Sequence, residues 1–166
     1  MGSARLKASI ATTTLLATLI ISTPAGAADR VCWQRRPAEG GFTRQINAEC
    51  SDAGLGTLRL DPELSRAARV HTWAMANQNE LYHTPTWRFT KRVTRWVILG
   101  ENVGVGGNVD SLHEAFMDSA AHRANVMHST FKNVGVGTLY RGGRLWVTVV
   151  FEGVTDPGTT LKMPRC

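Results

Sequence analysis

Cysteine is scarce in this chain, with three residues in 166, at positions 32, 50 and 166. Three scattered thiols are too few for a zinc ribbon, which needs paired ligands at short spacing. An odd count leaves one thiol spare and three pairings open. A Cys32–Cys166 bridge would tie the chain ends together. Cys50 follows Ile46 by four residues on an apolar helix face and reads as a buried thiol. Long apolar runs are equally sparse. One stretch, Ala8 to Ile21, is continuous enough to notice, and it is shorter than the roughly 20 residues a bilayer demands. Acidic residues are outnumbered, 13 against 19 basic.

Several catalytic signatures are missing. No serine stands in a G-x-S-x-G elbow. His113-Glu114 opens like a zinc-peptidase helix, but Met117 occupies the place of the second ligand. Gly104-Val105-Gly106-Gly107 is too short for a dinucleotide loop, with Val109 where the last glycine belongs. No basic run with interleaved aromatics points to nucleic acid, so no nucleic-acid partner is expected.

What is present begins with an export signal. Arg5 and Lys7 precede the apolar run, and small residues at Ala25, Gly26, Ala27 and Ala28 follow it, the pattern a signal peptidase accepts. Residues 1–28 therefore read as a cleaved signal peptide and the sole membrane-directed segment. Removing Arg5 and Lys7 leaves 17 basic against 13 acidic residues, a net charge of +4. That mild excess favours an anionic wall or membrane surface, and export makes disulfides chemically possible.

Residues 29–41 are polar, carry Pro37, Gly40 and Gly41, and read as an irregular N-terminal arm. Phe42, Ile46 and Cys50 recur at helical spacing, with Gly54 as a stop. Asp61-Pro62-Glu63 is a helix start, and the helix it opens carries Leu64, Ala67, Ala68, His71, Ala74 and Met75 on one face. Tyr82 to Arg95 reads as a loop or short helix. Trp96 to Val105 is apolar but glycine-interrupted, an irregular loop or short strand. Ser111 and Glu114 suggest a capping box for a helix to Ser119. A turn at Ala120–Ala121 then leads to a short helix over His122–Met127. Val134–Tyr140 and Leu145–Phe151, joined by Arg141-Gly142-Gly143-Arg144, form a hairpin. The tail, 154–166, is expected to wrap the surface. Helices followed by a hairpin imply a layered α/β sandwich.

The ordered segments are Gln45–Glu49, Ala53–Leu58, Leu64–Met75, Tyr82-His83-Thr84, Gly100-Glu101-Asn102-Val103, Phe116–Val126 and the closing hairpin. Taken in this order behind a signal peptide, the set resembles the CAP superfamily, the cysteine-rich secretory, antigen-five and pathogenesis-related proteins. It is most similar to the short bacterial branch called SCP-like domains. The resemblance spans about Phe42 to Phe151 and places a domain at 42–153. It implies a three-layer α-β-α sandwich with a central, mostly antiparallel sheet. It also implies a cleft that usually carries two His and two Glu. By match to the family motifs, His83 is the first cleft histidine, Glu101 the glutamate of the G-E-N motif and His122 the histidine of the S-x-x-H-R-x-N motif. Ser119 stands where the second glutamate is expected, Phe116 replaces the usual Trp, and Ala121 replaces a Gly.

Two imidazoles and a carboxylate suit a divalent transition metal with water in the open positions. No cofactor is required on this reading, and a divalent metal such as zinc on His83 and His122 is the one the group can take. Without metal the same residues can move a proton or bind a polar head group. Three functions follow as expectations. The first is a secreted, extracellular binding or effector module whose ligand is a lipid, a cell-wall component or a protein. The second is a secreted peptidase or wall-directed hydrolase, and the third a structural envelope protein. Outside the site, His71 is expected in the core with a hydrogen bond, and His113 and His128 at the surface. Asn102 is expected to tie backbone, and Arg123 to pair with a carboxylate. Without the family resemblance, His83, Glu101 and His122 read as a polar network pinning the loop to the helices; the resemblance implies a shared cleft.

Overall fold

The computed structural model describes Met1 and residues 33–164. Apart from Met1, the signal segment 1–28 falls outside the described residues, as do Cys32 and Cys166 and with them the disulfide pairings. Helix α1 covers Pro37–Asp52, followed by strand β1 (Arg59–Leu60) and helix α2 (Pro62–Gln78). Next come α3 (Thr86–Arg92), β2 (Val93–Thr94) and β3 (Leu99–Gly106). Helices α4 (Val109–Asp118) and α5 (Ala120–Val126) lead to the hairpin β4 (Asn133–Arg141) and β5 (Arg144–Glu152), and β6 is Gly158–Thr159.

The main sheet has the order β1-β4-β5-β3. Strands β4–β5 and β5–β3 pair antiparallel and β1–β4 parallel. Side chains alternate along a strand, and β5 shows both halves of its alternation buried. Leu145, Val147, Val149 and Phe151 join Phe42, Ile46, Leu112, Phe116 and Val126 of α1, α4 and α5. Val150 packs with Leu64 and Ala68 of α2, and Trp146 with Met75. Helix α2 thus covers one face and α1, α4 and α5 the other, an α-β-α sandwich. No helix among the described residues is long and apolar enough to cross a membrane.

The faces of β4 are unequal. Val134 and Val136 fill the α1 side, whereas Gly135 and Gly137 face α2. A Cβ at Gly135 would lie 2.3 Å from the Leu64 carbonyl carbon, and one at Gly137 2.3 Å from the Arg69 nitrogen. The helix backbone rests directly on these glycines. Ser65 and Thr72 exploit the approach: Val136 N donates to Ser65 Oγ at 3.1 Å, and Thr72 Oγ1 lies 2.9 Å from the Gly137 carbonyl.

Several boundaries differ from the sequence reading. Helix α1 begins at Pro37, so 37–41 are its first turns and not an irregular arm. Pro37 occupies the first helical position, where a missing N–H costs nothing, and Arg36 N donates to Glu39 Oε2 at 2.9 Å. Residues 99–106 form a full strand. Its glycines leave room for Phe131, Phe116 and Leu112 to press on the sheet. Asn108, not Ser111, caps α4, its side chain accepting from Ser111 N at 2.9 Å. The break before α5 falls at Ser119 (φ −88°, ψ 117°). In the tail, Gly158–Thr159 pairs with β2. Asp61 caps α2 as expected, accepting from Glu63 N and Leu64 N. Gly142 and Gly143 turn the hairpin with φ of 60° and 71°, the positive angles a two-residue I′ turn requires.

Candidate functional site

Strand β3 is the edge of the sheet, and two consecutive residues on it, Glu101 and Asn102, send their side chains to opposite faces. Each anchors one histidine-bearing segment.

Glu101 holds the segment Tyr82-His83-Thr84. Its carboxylate accepts from Thr84 N at 2.8 Å, Thr84 Oγ1 at 2.6 Å and His83 Nδ1 at 3.0 Å. A carboxylate can only accept, so the last bond requires the proton on Nδ1. That tautomer leaves the Nε2 lone pair of His83 free. The glutamate side chain is 6% exposed and the imidazole 60% exposed, so a buried anion orients a ring that faces solvent. His71 holds the same segment from below. It is buried, its Nε2 lies 2.7 Å from the Tyr82 carbonyl, and the Tyr82 ring meets it edge-on at 5.0 Å. The hydrogen-bonded core histidine anticipated at position 71 is therefore present.

Asn102 holds the segment around His122. Its Nδ2 donates to the His122 carbonyl at 3.0 Å, and Asn125 Nδ2 donates to Asn102 Oδ1 at 2.8 Å and to the Glu101 carbonyl at 3.2 Å. The His122 ring packs 5.0 Å from the Phe116 ring, and its buried Nδ1 has no hydrogen-bond partner among the described residues. Burial lowers the His122 pKa, and the nearby charge of His83 lowers it further.

The structure brings His83 and Glu101 into contact, and Asn102, the next residue after Glu101, holds the His122 backbone. Ser119 makes no hydrogen bond to any of the three among the described residues. Arg123, expected to pair with a carboxylate, is exposed and makes no ion pair among the described residues. His128 is exposed as expected. His113, expected at the surface, is 7% exposed and lies 3.5 Å from Glu49 across the α1–α4 contact, a long separation for a hydrogen bond. Sequence reasoning missed Thr84 and Asn125. Thr84 adjoins a matched histidine, and a hydroxyl beside a ligand-type residue is the signal that could have found it.

Among the described residues, no group of three or more His, Cys, Asp or Glu is placed to hold a metal ion. Glu101 turns both oxygens to Thr84 and His83, with two bonds on Oε1 and one on Oε2, and two imidazoles by themselves are an incomplete shell for zinc without added water.

The geometry coincides with a family match. The model of CAP, the cysteine-rich secretory protein family, matches residues 31–151. The chain belongs to the CAP family. The CAP domain is 30% identical over 107 residues to the uncharacterized protein YkwD of Bacillus subtilis, a match covering 60% of this chain and 41% of YkwD. The chain therefore spans less than half the length of that relative. Two solved structures share the fold. An outer surface protein of Borrelia burgdorferi has a TM-score of 0.64 at 15% identity, covering 72% of this chain and 96% of that one. An extracellular protein of Bacillus anthracis containing a SCP domain has a TM-score of 0.58 at 23% identity, covering 74% and 45%.

Acid should destabilise this CAP domain. Burial lowers the pKa of His71, His113 and His122. The unfolded chain then binds more protons than the folded one below the ordinary histidine value of 6.5. The stability these rings contribute is complete above that pH and drains away as pH falls through the lower folded values. Thermal unfolding followed by circular dichroism should give a Tm that drops between about pH 7 and about pH 5. His113→Gln should flatten that slope. An unchanged slope would remove His113 from the account.

Proposed function

We propose that the chain is an exported CAP binding module, with His83 as its contact residue, Glu101 as the group that orients it and His122 as its neighbour. The supporting observation is the pairing of a buried, triply hydrogen-bonded carboxylate with an exposed imidazole whose Nε2 has no partner among the described residues. A carboxylate behind a histidine fixes tautomer and ring orientation, the arrangement needed to meet a polar ligand or a divalent metal with little reorganisation. Export is supported by the signal-like first 28 residues. The extracellular and outer-surface descriptions of the similar Bacillus anthracis and Borrelia burgdorferi proteins support it too. Zinc, when bound, would use His83 Nε2 and His122 and supply a Lewis-acidic contact for an anionic or carbonyl ligand.

The same dyad can act as a base, which keeps a hydrolase in view. However, Ser119 lacks the hydrogen bond to a base that a nucleophile needs. Calorimetric titration with zinc chloride separates the readings when combined with a peptide and ester hydrolysis panel. The binding module predicts saturable zinc uptake, lost in both His83→Ala and His122→Ala, and no turnover. Hydrolysis that disappears in folded Glu101→Gln would transfer the site to the enzyme reading. Variants that lose only thermal stability, with no zinc bound by the parent, would leave a structural role.

A further inference from the structure

We infer a second binding site, sharing no residue with the histidine site, for a small anion that carries a flat apolar body. Its wall is the outward stripe of α2. Arg66, Arg69, Val70 and Trp73 recur at the three- and four-residue spacing that stacks side chains along one helix face. With Arg36 and Leu139 they line a cavity of about 330 Å³, at the small end of ligand pockets.

The wall is built in two halves of different chemistry. On the cationic side stand three guanidinium groups with a single buried carboxylate beneath them, that of Glu39. Arg69 is committed to structure. It clasps Glu39 through Nε at 2.7 Å and Nη2 at 2.6 Å, and stacks on Trp33 at 3.7 Å. Arg36 reaches the Thr138 carbonyl through Nη1 and lies 4.0 Å from Glu39 Oε1 through Nε, which leaves Nη2 without a partner among the described residues. Among the described residues Arg66 binds the Lys162 carbonyl through Nε at 3.2 Å, and neither terminal nitrogen has a partner there. Glu39 offsets one of the three positive charges, so the cavity keeps an excess of two. Free guanidinium donors in a fixed fork favour carboxylate or phosphate oxygens, which they can grip bidentately.

On the apolar side, Val70 and Leu139 flank the Trp73 indole, which is 63% exposed. A large aromatic face left in water beside these arginines has no role in the core, because the α2 packing onto β4 and β5 uses the opposite face of the helix. It suits a ligand ring laid flat on the indole while its anionic substituent reaches Arg66 and Arg36.

Phenyl phosphate, benzoate, inorganic phosphate and phenol are the probes, followed by the indole N–H signals of the full chain in nitrogen–proton NMR spectra. Trp73→Phe assigns the reporter signal. Phenyl phosphate or benzoate should shift the Trp73 signal saturably. Phenol should not, and inorganic phosphate should bind more weakly by about tenfold for want of the stacking contact. The stronger of the two ring-bearing probes identifies the anion as phosphate or carboxylate. Arg66→Ala, at a half-buried position on the outer face of α2, should weaken ring-bearing probes about tenfold. His83→Ala should change nothing, which keeps this site's success or failure separate from that of the histidine site. A Trp73 signal that ignores both ring-bearing anions would overturn the assignment, as would equal affinities in the parent and Arg66→Ala.

Discussion

Gly137→Ala should lower the unfolding free energy by about 3 kcal/mol, at or beyond the upper end of ordinary overpacking costs. The added methyl would sit 2.3 Å from Arg69 N, 2.4 Å from the Ala68 carbonyl carbon and 2.6 Å from Arg69 Cα. All three are backbone atoms of α2. A crowded side chain can rotate away, but a hydrogen-bonded helix can yield only by shifting as a body. Such a shift would pull Thr72 from the Gly137 carbonyl, Ser65 from Val136 N and Leu64 from its buried seat. Gly107→Ala supplies the control, since nothing lies within 4 Å of a Cβ there and surface changes of this kind stay within about 0.5 kcal/mol. Urea unfolding of parent and both variants reads the difference. Equal midpoints for the two glycine variants would show that α2 does not rest on β4 as described.

Glu39→Ala should be costlier still, about 3–5 kcal/mol, the loss typical of breaking one side of a buried ion pair. Glu39 is 0% exposed. It receives two charge-assisted bonds from Arg69 and one from the Arg36 backbone at the start of α1. Truncation strands a half-buried guanidinium and uncaps a helix in one step. Because the pair is buried, salt should screen it little, so the loss should be nearly the same in low and high sodium chloride. The double variant Glu39→Leu with Arg69→Met should recover much of the stability, since a packed apolar pair avoids the unpaired charge. A double variant no better than Glu39→Ala would mean the capping bond, not the charge, dominates.

Neither residue stands out in the sequence. Glu39 sits in a polar Pro/Gly stretch that reads as an arm, and its partner lies 30 positions away on another helix. Gly135 and Gly137 read as ordinary interruptions of a β-rich run. Their purpose depends on which face of β4 meets α2. By contrast, the start of α2 at Asp61-Pro62, the hairpin over Gly142-Gly143 and the core position of His71 are all readable. Capping, turn angle and helical spacing are properties of a few neighbouring residues. His113 misleads for the opposite reason. Nearness to a helix start suggests solvent, but α4 turns that face toward α1.

At the histidine site the division is the same. Residue identities at 83, 101 and 122, the helix starts and the turn glycines are written locally in the chain, and they carry the family resemblance, the layered fold and the choice of candidates. Assembly adds what no spacing could supply. β3 lies at the sheet edge, so Glu101 and Asn102 can grip two segments from opposite sides. Thr84 and Asn125 close the hydrogen bonds, and both Glu101 oxygens are occupied. Contacts between residues 17 to 24 positions apart depend on how helices stack on a sheet, a non-local balance of packing that leaves no periodic trace along the polymer.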